Sequence, residues 1–140
     1  GQVMHSLFSM IQTSKDVPSA IARLRMEGII ESEAHERQIL KLVNWALNHP
    51  KVKEWFSGEW TLYNECAILY RENGELQTRR PDRVMMKDRK VIVVDFKFGK
   101  PYPEYNEQVR EYMNLLQDMG YTNVSGYLWY VFYNQLEEIK

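Results

Sequence analysis

The 140-residue sequence lacks several features that mark whole classes of protein. Its single cysteine, Cys66, excludes an internal disulfide and a four-cysteine zinc or iron–sulfur site, and its apolar neighbours favour a core residue. No apolar run approaches the roughly 18 residues of a membrane span, and no pattern predicts a signal peptide. The glycine-rich motifs GxxxxGK[ST] and GxGxxG are absent, which argues against ATP hydrolysis or dinucleotide binding. We therefore expect a cytoplasmic protein without a membrane segment.

Charge is nearly balanced over the whole chain, with a net charge of −1, but it is unevenly distributed. Between Arg79 and Lys100, eight basic residues face three acidic ones, so this zone carries +5 and the remainder −6. A basic zone in an otherwise acidic chain is typical of a protein with a local anionic partner. A solvated hairpin with lysine-rich edges gives the same pattern, and charge alone favours that simpler interpretation.

Hydrophobic periodicity changes from helical to strand-like near residue 60. The predicted helices cover residues 2–12, 18–28, 31–48, 52–56 and 106–119. The predicted strands cover residues 60–70, 76–86, 91–97 and 124–133. The pair Asn73-Gly74 predicts a tight turn between the first two strands. This order predicts a mixed α/β sheet flanked by helices, with further helices at the N-terminus, in one domain covering residues 1–140.

The strand "VIVVDFK", residues 91–97, ends in an acid and a base that lie on the same face, because strand side chains alternate. Asp82 precedes Asp95 by one strand, a tight turn and a return strand, so the two carboxylates are expected side by side. Two close carboxylates repel each other unless a cation lies between them, and oxygen ligands suit Mg²⁺ or Mn²⁺. Lys97 would then orient a water or neutralise charge on a reacting phosphate. The alternative is a surface pair of Asp95 and Lys97, with Asp82 in a turn.

Four sequence blocks carry a resemblance to a known family. Pro81-Asp82, with twelve residues before Asp95-Phe96-Lys97, resembles the PD-(D/E)XK nuclease signature. The block "DFKFGK" is similar to the "DYKTG" block of the RecB-like branch of that superfamily, although Phe98 stands where threonine is usual. The helix "NEQVREYMNLL" resembles its Q-x-x-x-Y helix, and "GQVMH" its N-terminal G-x-x-x-H helix. The resemblance extends over nearly the whole chain and implies a restriction-endonuclease-like αβββαβ core.

The resemblance also implies roles for individual residues. His5, Asp82 and Asp95 correspond to the side chains that bind a divalent metal, together with the backbone carbonyl of Phe96. Lys97 corresponds to the catalytic lysine, which with the two aspartates forms the expected catalytic set. The remaining positions are expected to support the site or to contact DNA, and they are Gln108, Tyr112, Arg79, Arg83 and Lys100. The iron–sulfur members of the family need four cysteines, so no iron–sulfur cluster is expected.

The implied function is that of a Mg²⁺- or Mn²⁺-dependent deoxyribonuclease that hydrolyses phosphodiester bonds. Such domains belong to helicase–nucleases of the RecB and AddA kind, which process DNA double-strand breaks for recombinational repair. We therefore expect a nuclease domain excised from a larger helicase–nuclease, with single-stranded DNA or unwound ends and a helicase as partners. The alternative is a nuclease-fold module of little catalytic power that binds DNA ends or docks onto a helicase.

Overall fold

The computed structural model describes residues 2–63 and 67–140, and the chain divides into two units. One unit contains Gly1–Trp60 and Val131–Asn134, and the other contains Thr61–Tyr130 and Gln135–Lys140. Glu65 and Cys66, and with them the interpretation of Cys66 as a core residue, lie outside the described residues.

The first unit is helical. Its helices are α1 (Gln2–Met10), α2 (Val17–Met26), α3 (Glu33–Leu47) and α4 (Pro50–Trp55). The sequence signals at their ends act as expected: Ser32 caps α3 by accepting a hydrogen bond from the His35 backbone N–H at 3.1 Å. Gly28, which follows α2, adopts the left-handed conformation with a φ of 76°. The predicted N-terminal helices are therefore confirmed, with ends shifted by a few residues.

The second unit is built on a mixed sheet of five strands in the order β1-β4-β5-β6-β7. The bounds are β1 (Thr61–Leu62), β4 (Arg83–Lys87), β5 (Lys90–Lys97), β6 (Asn123–Tyr130) and β7 (Gln135–Ile139). Among the strand pairs of the described residues, β5–β6 alone is parallel, and helix α5 (Pro103–Asp118) makes the crossover between these two strands. Strands β2 (Ile68–Glu72) and β3 (Glu75–Arg79) form a separate antiparallel hairpin. The predicted mixed α/β class is thus confirmed.

The turn at Asn73-Gly74 is confirmed, since both residues have positive φ, 53° and 79°. The prediction of one continuous strand over residues 76–86 is wrong. Strand β3 ends at Arg79 and β4 begins at Arg83, so Asp82 immediately precedes a strand instead of lying within one. Pro81 explains the break, because proline has no N–H to donate to a sheet ladder.

The predicted last strand is also too long and is followed by one that was missed. Strand β6 ends at Tyr130, a single turn of 3₁₀-helix covers Val131–Tyr133, and β7 then pairs antiparallel with β6. Asn134, with a φ of 48°, makes the reversal of direction possible.

Helix α5 packs on the face of the sheet formed by β5 and β6. Val109 of α5 lies in a buried cluster with Leu128, Tyr130 and Ile139. Gly126 of β6 makes this close approach possible, since a Cβ atom there would lie 2.5 Å from Met113 Sδ and 2.6 Å from Val109 Cγ1. The end of β5 is therefore held from one side by a rigid helix.

Among the described helices, none combines the length and the apolar character needed to cross a membrane.

Candidate functional site

The two candidate carboxylates meet where β4 and β5 begin to separate. The register pairs Arg83 with Val94, so Asp82, just before β4, and Asp95 of β5 are the next neighbours beyond that pair. The Asp82 backbone N–H donates to Asp95 Oδ1 at 3.0 Å, and the Phe96 backbone N–H donates to Asp82 Oδ2 at 2.8 Å. Each carboxylate thus accepts a hydrogen bond from the backbone of the other segment, which fixes the relative positions of the two acids.

Burial gives the two acids different electrostatic environments. Asp95 is only 4% exposed, whereas Asp82 is exposed. Burial, and after it the negative charge of Asp82, raise the pKa of Asp95 from its usual 3.8 to about 6, against the opposing effects of the backbone hydrogen bond and of the charges of Lys97 and Arg79. The exposed carboxylate of Asp82 therefore places a second negative charge beside the poorly solvated carboxylate of Asp95, and a cation would relieve the repulsion.

Lys97 lies on the same face of β5 as Asp95, as the strand alternation predicts, and its side chain is half-buried. Its Nζ atom lies 4.1 Å from the centroid of the Tyr105 ring. Sequence reasoning missed Tyr105, because its contact with Lys97 depends on how the first turn of α5 docks beside β5. The structure thus assembles Asp82, Asp95 and Lys97 at one end of the central strand.

A divalent metal is compatible with this pair of acids, judged by the chemistry of the donors. Carboxylate oxygens are the hard ligands that Mg²⁺ prefers, and Mg²⁺ is commonly bound through one or two carboxylates, with water completing its shell. Within residues 2–63 and 67–140, no three or more His, Cys, Asp or Glu side chains are grouped so as to hold a metal ion. His5 lies on α1 of the other unit with an exposed side chain, so its ligand role stays a prediction, as does that of the Phe96 carbonyl.

The two predicted site residues of α5 differ in their surroundings. Tyr112 is buried in an apolar cluster with Val84, Val91 and Val93 of the sheet. Gln108, one turn earlier, is half-buried. Tyr112 therefore anchors α5 against the strands that carry the two aspartates, which is a supporting position and not one from which it would reach a ligand in solvent.

The three predicted basic contacts also differ in burial. Lys100 is exposed in the loop after β5. Arg83 is only 5% exposed, and its Nε donates to Met85 Sδ at 3.5 Å, so its burial does not favour the predicted contact with DNA. This burial also lowers the pKa of Arg83 to about 10. The Arg83 side chain is turned away from the acidic pair because Arg83 and Asp82 are adjacent residues, whose side chains point to opposite faces of the sheet.

Arg79 is half-buried at the end of β3, and its Nη1 atom lies 3.8 Å from Glu111 Oε2 of α5. The sequence did not reveal Glu111 as a partner, because the two residues are distant in the chain. Arg79 also contributes positive charge at Asp95. Arg79 therefore contacts the helix and also belongs electrostatically to the site.

Comparison of the chain with protein-family models gives no match, and comparison with curated proteins gives none either. The functional conclusion must therefore be drawn from the geometry of the acidic pair and of Lys97.

Proposed function

We propose that this chain is a metal-dependent DNA nuclease domain with a restriction-endonuclease-like core. The observation that supports the proposal most directly is the pairing of Asp82 with buried Asp95, joined by reciprocal backbone hydrogen bonds. A buried carboxylate beside a second carboxylate costs stability, and such local conflicts are typical of functional sites. Lys97, two residues after Asp95 on the same face, supplies the basic group that phosphate chemistry needs.

The order of elements around the pair supports the same fold proposal. Strands β1, β4 and β5 are followed by helix α5 and by β6, which runs parallel to β5. With α1 before them, these elements follow the order αβββαβ that the sequence resemblance implies. The separate hairpin β2–β3 and the edge strand β7 would then be additions to this core.

The proposed reaction is hydrolysis of a phosphodiester bond of DNA. Mg²⁺ or Mn²⁺ held by Asp82 and Asp95 would polarise the scissile phosphate and lower the pKa of a bound water. The backbone N–H groups of Asp82 and Phe96 fix the two carboxylates in place. Lys97 neutralises negative charge that develops on the phosphate oxygens. Lys100 and Arg79 are proposed to contact the DNA backbone, which would make binding depend on salt.

A biological role is proposed together with the fold. The RecB-like resemblance favours processing of DNA double-strand breaks for recombinational repair, with a helicase as the partner that supplies unwound ends. This role is separable from the chemistry, since a nuclease site can be tested on short DNA without a motor.

Cleavage of end-labelled single-stranded and duplex DNA with Mg²⁺ or Mn²⁺ tests the proposal. Asp95→Ala and Lys97→Ala should each lower the rate by about 100-fold or more, since each removes a charge that acts on the reacting phosphate. Lys90→Ala, at the opposite end of β5, and Asp118→Ala, at the end of α5, are matched controls and should cleave like the wild type. Cleavage that persists unchanged in both site variants would refute the proposal.

One observation favours a second candidate, a binding module with little catalysis. The described residues contain no group of three or more metal-ligating side chains, so the acidic pair would hold a metal with few protein ligands. This candidate predicts DNA binding that EDTA does not change, and no nicking at any concentration of Mg²⁺ or Mn²⁺. Metal-dependent nicking that requires Asp95 would exclude it.

A further inference from the structure

The ammonium group of Lys97 has an aromatic neighbour that the proposed reaction does not use. Its Nζ atom lies 4.1 Å from the centroid of the Tyr105 ring, well within the roughly 6 Å over which a cation is attracted to an aromatic face. The attraction arises because the face of the ring carries partial negative charge. The contact therefore favours one position of a side chain that would otherwise sample many rotamers.

The Tyr105 ring is itself well supported. Tyr105 lies in the first turn of α5 and packs against the buried cluster of Val109, Leu128, Tyr130 and Ile139. The ring of Tyr102 meets it edge-on, with the two centroids 5.5 Å apart at an interplanar angle of 86°. A ring held by these two contacts can act as a fixed surface for a mobile cation.

The lysine on this ring remains close to the acidic pair. Positive charge at Lys97 lowers the pKa of Asp95, against the larger effects of burial and of Asp82. The strand geometry agrees with this closeness, because Lys97 is the next residue after Asp95 on the same face of β5. Tyr130 of β6 is the neighbour of Lys97 across the parallel ladder. The ammonium group that lies over the ring therefore acts electrostatically on Asp95, on whose face of β5 Lys97 lies.

We propose that Tyr105 is a positioning residue for Lys97, holding its ammonium group by a cation–π contact at the place where the reacting phosphate is bound. This proposal rests on the proposed nuclease function for its catalytic consequence, but not for the contact itself. Its benefit is pre-organisation, because a catalytic group that already occupies its working position loses less freedom when the substrate arrives.

The contact can be tested without any activity. In protein labelled with ¹³C at the lysine ε-carbon, the ring current of Tyr105 should shift the Lys97 ε-proton resonances upfield, with Lys97→Arg providing the assignment. Tyr105→Phe should retain the upfield shift, and Tyr105→Leu should abolish it. Lys97 resonances at ordinary positions in the wild type would overturn the proposal.

Kinetics test the catalytic consequence. Tyr105→Leu should lower kcat of DNA cleavage by about 10- to 100-fold with little change in KM, since misplaced catalytic groups cost rates of this order. Tyr105→Phe should restore kcat to within about twofold of the wild type, because the aromatic face is retained. Tyr121→Leu, which truncates another half-buried tyrosine on the apolar cluster at the far end of α5, is the matched control and should leave kcat unchanged.

A shape-conserving variant separates positioning from packing. At position 105, 3,4,5-trifluorophenylalanine has nearly the size of phenylalanine but a much less negative face, so kcat should fall below that of Tyr105→Phe with stability retained. Equal kcat for the two variants would overturn the proposal, even if Tyr105→Leu proved too unstable to assay. An upfield Lys97 signal in a wild-type protein that cleaves no DNA would refute the proposed function while leaving the positioning contact in place.

Discussion

The hairpin β2–β3 and the hairpin β4–β5 follow each other in the chain and share one backbone design. Each pairs five residues with five residues in antiparallel register and closes with a two-residue turn of positive φ. They differ in burial. Leu69 and Leu76 of the first hairpin are 60% and 62% exposed, whereas Met85 and Val93 of the second are fully buried.

The difference in burial explains why the two carboxylates are precisely placed. A hairpin with a buried face cannot slip by one residue without turning its apolar side chains to solvent, so its register is strongly fixed. The acidic pair lies at the open end of the buried hairpin, and Arg79 lies at the open end of the exposed one, paired with Ile68. The fixed hairpin therefore carries the carboxylates, and the less constrained one carries a charge that modulates them.

The largest expected difference between the hairpins is in stability. Met85→Ala in β4 should lower the free energy of unfolding by about 2–5 kcal/mol, because it leaves a cavity in the core. Leu76→Ala in β3 should change it by less than about 0.5 kcal/mol, because this side chain is already solvated. Urea denaturation of the two variants measures both effects. Equal losses would mean that the exposed hairpin is as tightly integrated as the buried one.

The next-largest expected effect is on the free energy of unfolding, which the burial of Asp95 beside Asp82 lowers. Asp95→Asn should raise the free energy of unfolding at pH 7 by roughly 1–3 kcal/mol in metal-free protein, because the folded state raises the pKa of this carboxyl from 3.8 to about 6. The folded protein binds the proton more tightly than the unfolded chain. The proton on Asp95 therefore contributes most to the free energy of unfolding below about pH 4. This contribution is lost as the pH rises through about 6.

The pH dependence provides the control for that experiment. The advantage of Asp95→Asn over the wild type should be large at pH 7 and should shrink as the pH falls through 6 towards 4, as measured by thermal or urea denaturation with EDTA present. Asp118→Asn, at an exposed position, should show no such trend. Mg²⁺ should stabilise the wild type more than Asp95→Asn, by mass action on the folded state. A variant less stable than the wild type at pH 7 would contradict the interpretation.

Much of this arrangement was accessible from the sequence. The twelve residues between Asp82 and Asp95 divide into two five-residue strand segments and a two-residue turn, so simple register predicted that the two carboxylates are neighbours. Alternation along β5 likewise predicted that Lys97 shares the face of Asp95. Local rules sufficed here because adjacent strands joined by a tight turn have little geometric freedom.

Other features depended on contacts between distant parts of the chain. The break at Pro81 was visible as an unfavourable proline, but not as the boundary between two separate hairpins. Strand β7 is polar and lies at a sheet edge, so it shows little of the alternation by which a strand is recognised. The contact of Tyr105 with Lys97 and the ion pair of Arg79 with Glu111 require the docking of α5, which no local pattern specifies.

A smaller effect is expected from exchanging the turn residues of the two hairpins. Arg89 has a φ of 69° in the turn of the buried hairpin, where glycine is favoured, so Arg89→Gly should stabilise the protein by about 0.5–1 kcal/mol. Gly74→Arg, at a φ of 79° in the exposed hairpin, introduces the reverse strain. Its cost should appear as faster hydrogen exchange within β2 and β3, with little change in global unfolding. A global loss larger than 1 kcal/mol would show that the exposed hairpin unfolds together with the core.

The smallest effect in stability is expected at Arg79, which links the exposed hairpin to the site. Arg79→Gln removes an ion pair with Glu111 that is partly solvated, so the free energy of unfolding should fall by less than about 1 kcal/mol. The pKa of Asp95 should nevertheless rise further, because the positive charge of Arg79 opposes its increase. Titration of the ¹³C-labelled Asp95 carboxyl by NMR measures this directly.

Arg71→Gln, in β2 of the same hairpin, is the matched control and should leave the pKa of Asp95 unchanged. If both variants leave it unchanged, the exposed hairpin carries no charge that acts on the site, and the electrostatics of the acidic pair are set by the buried hairpin and α5 alone.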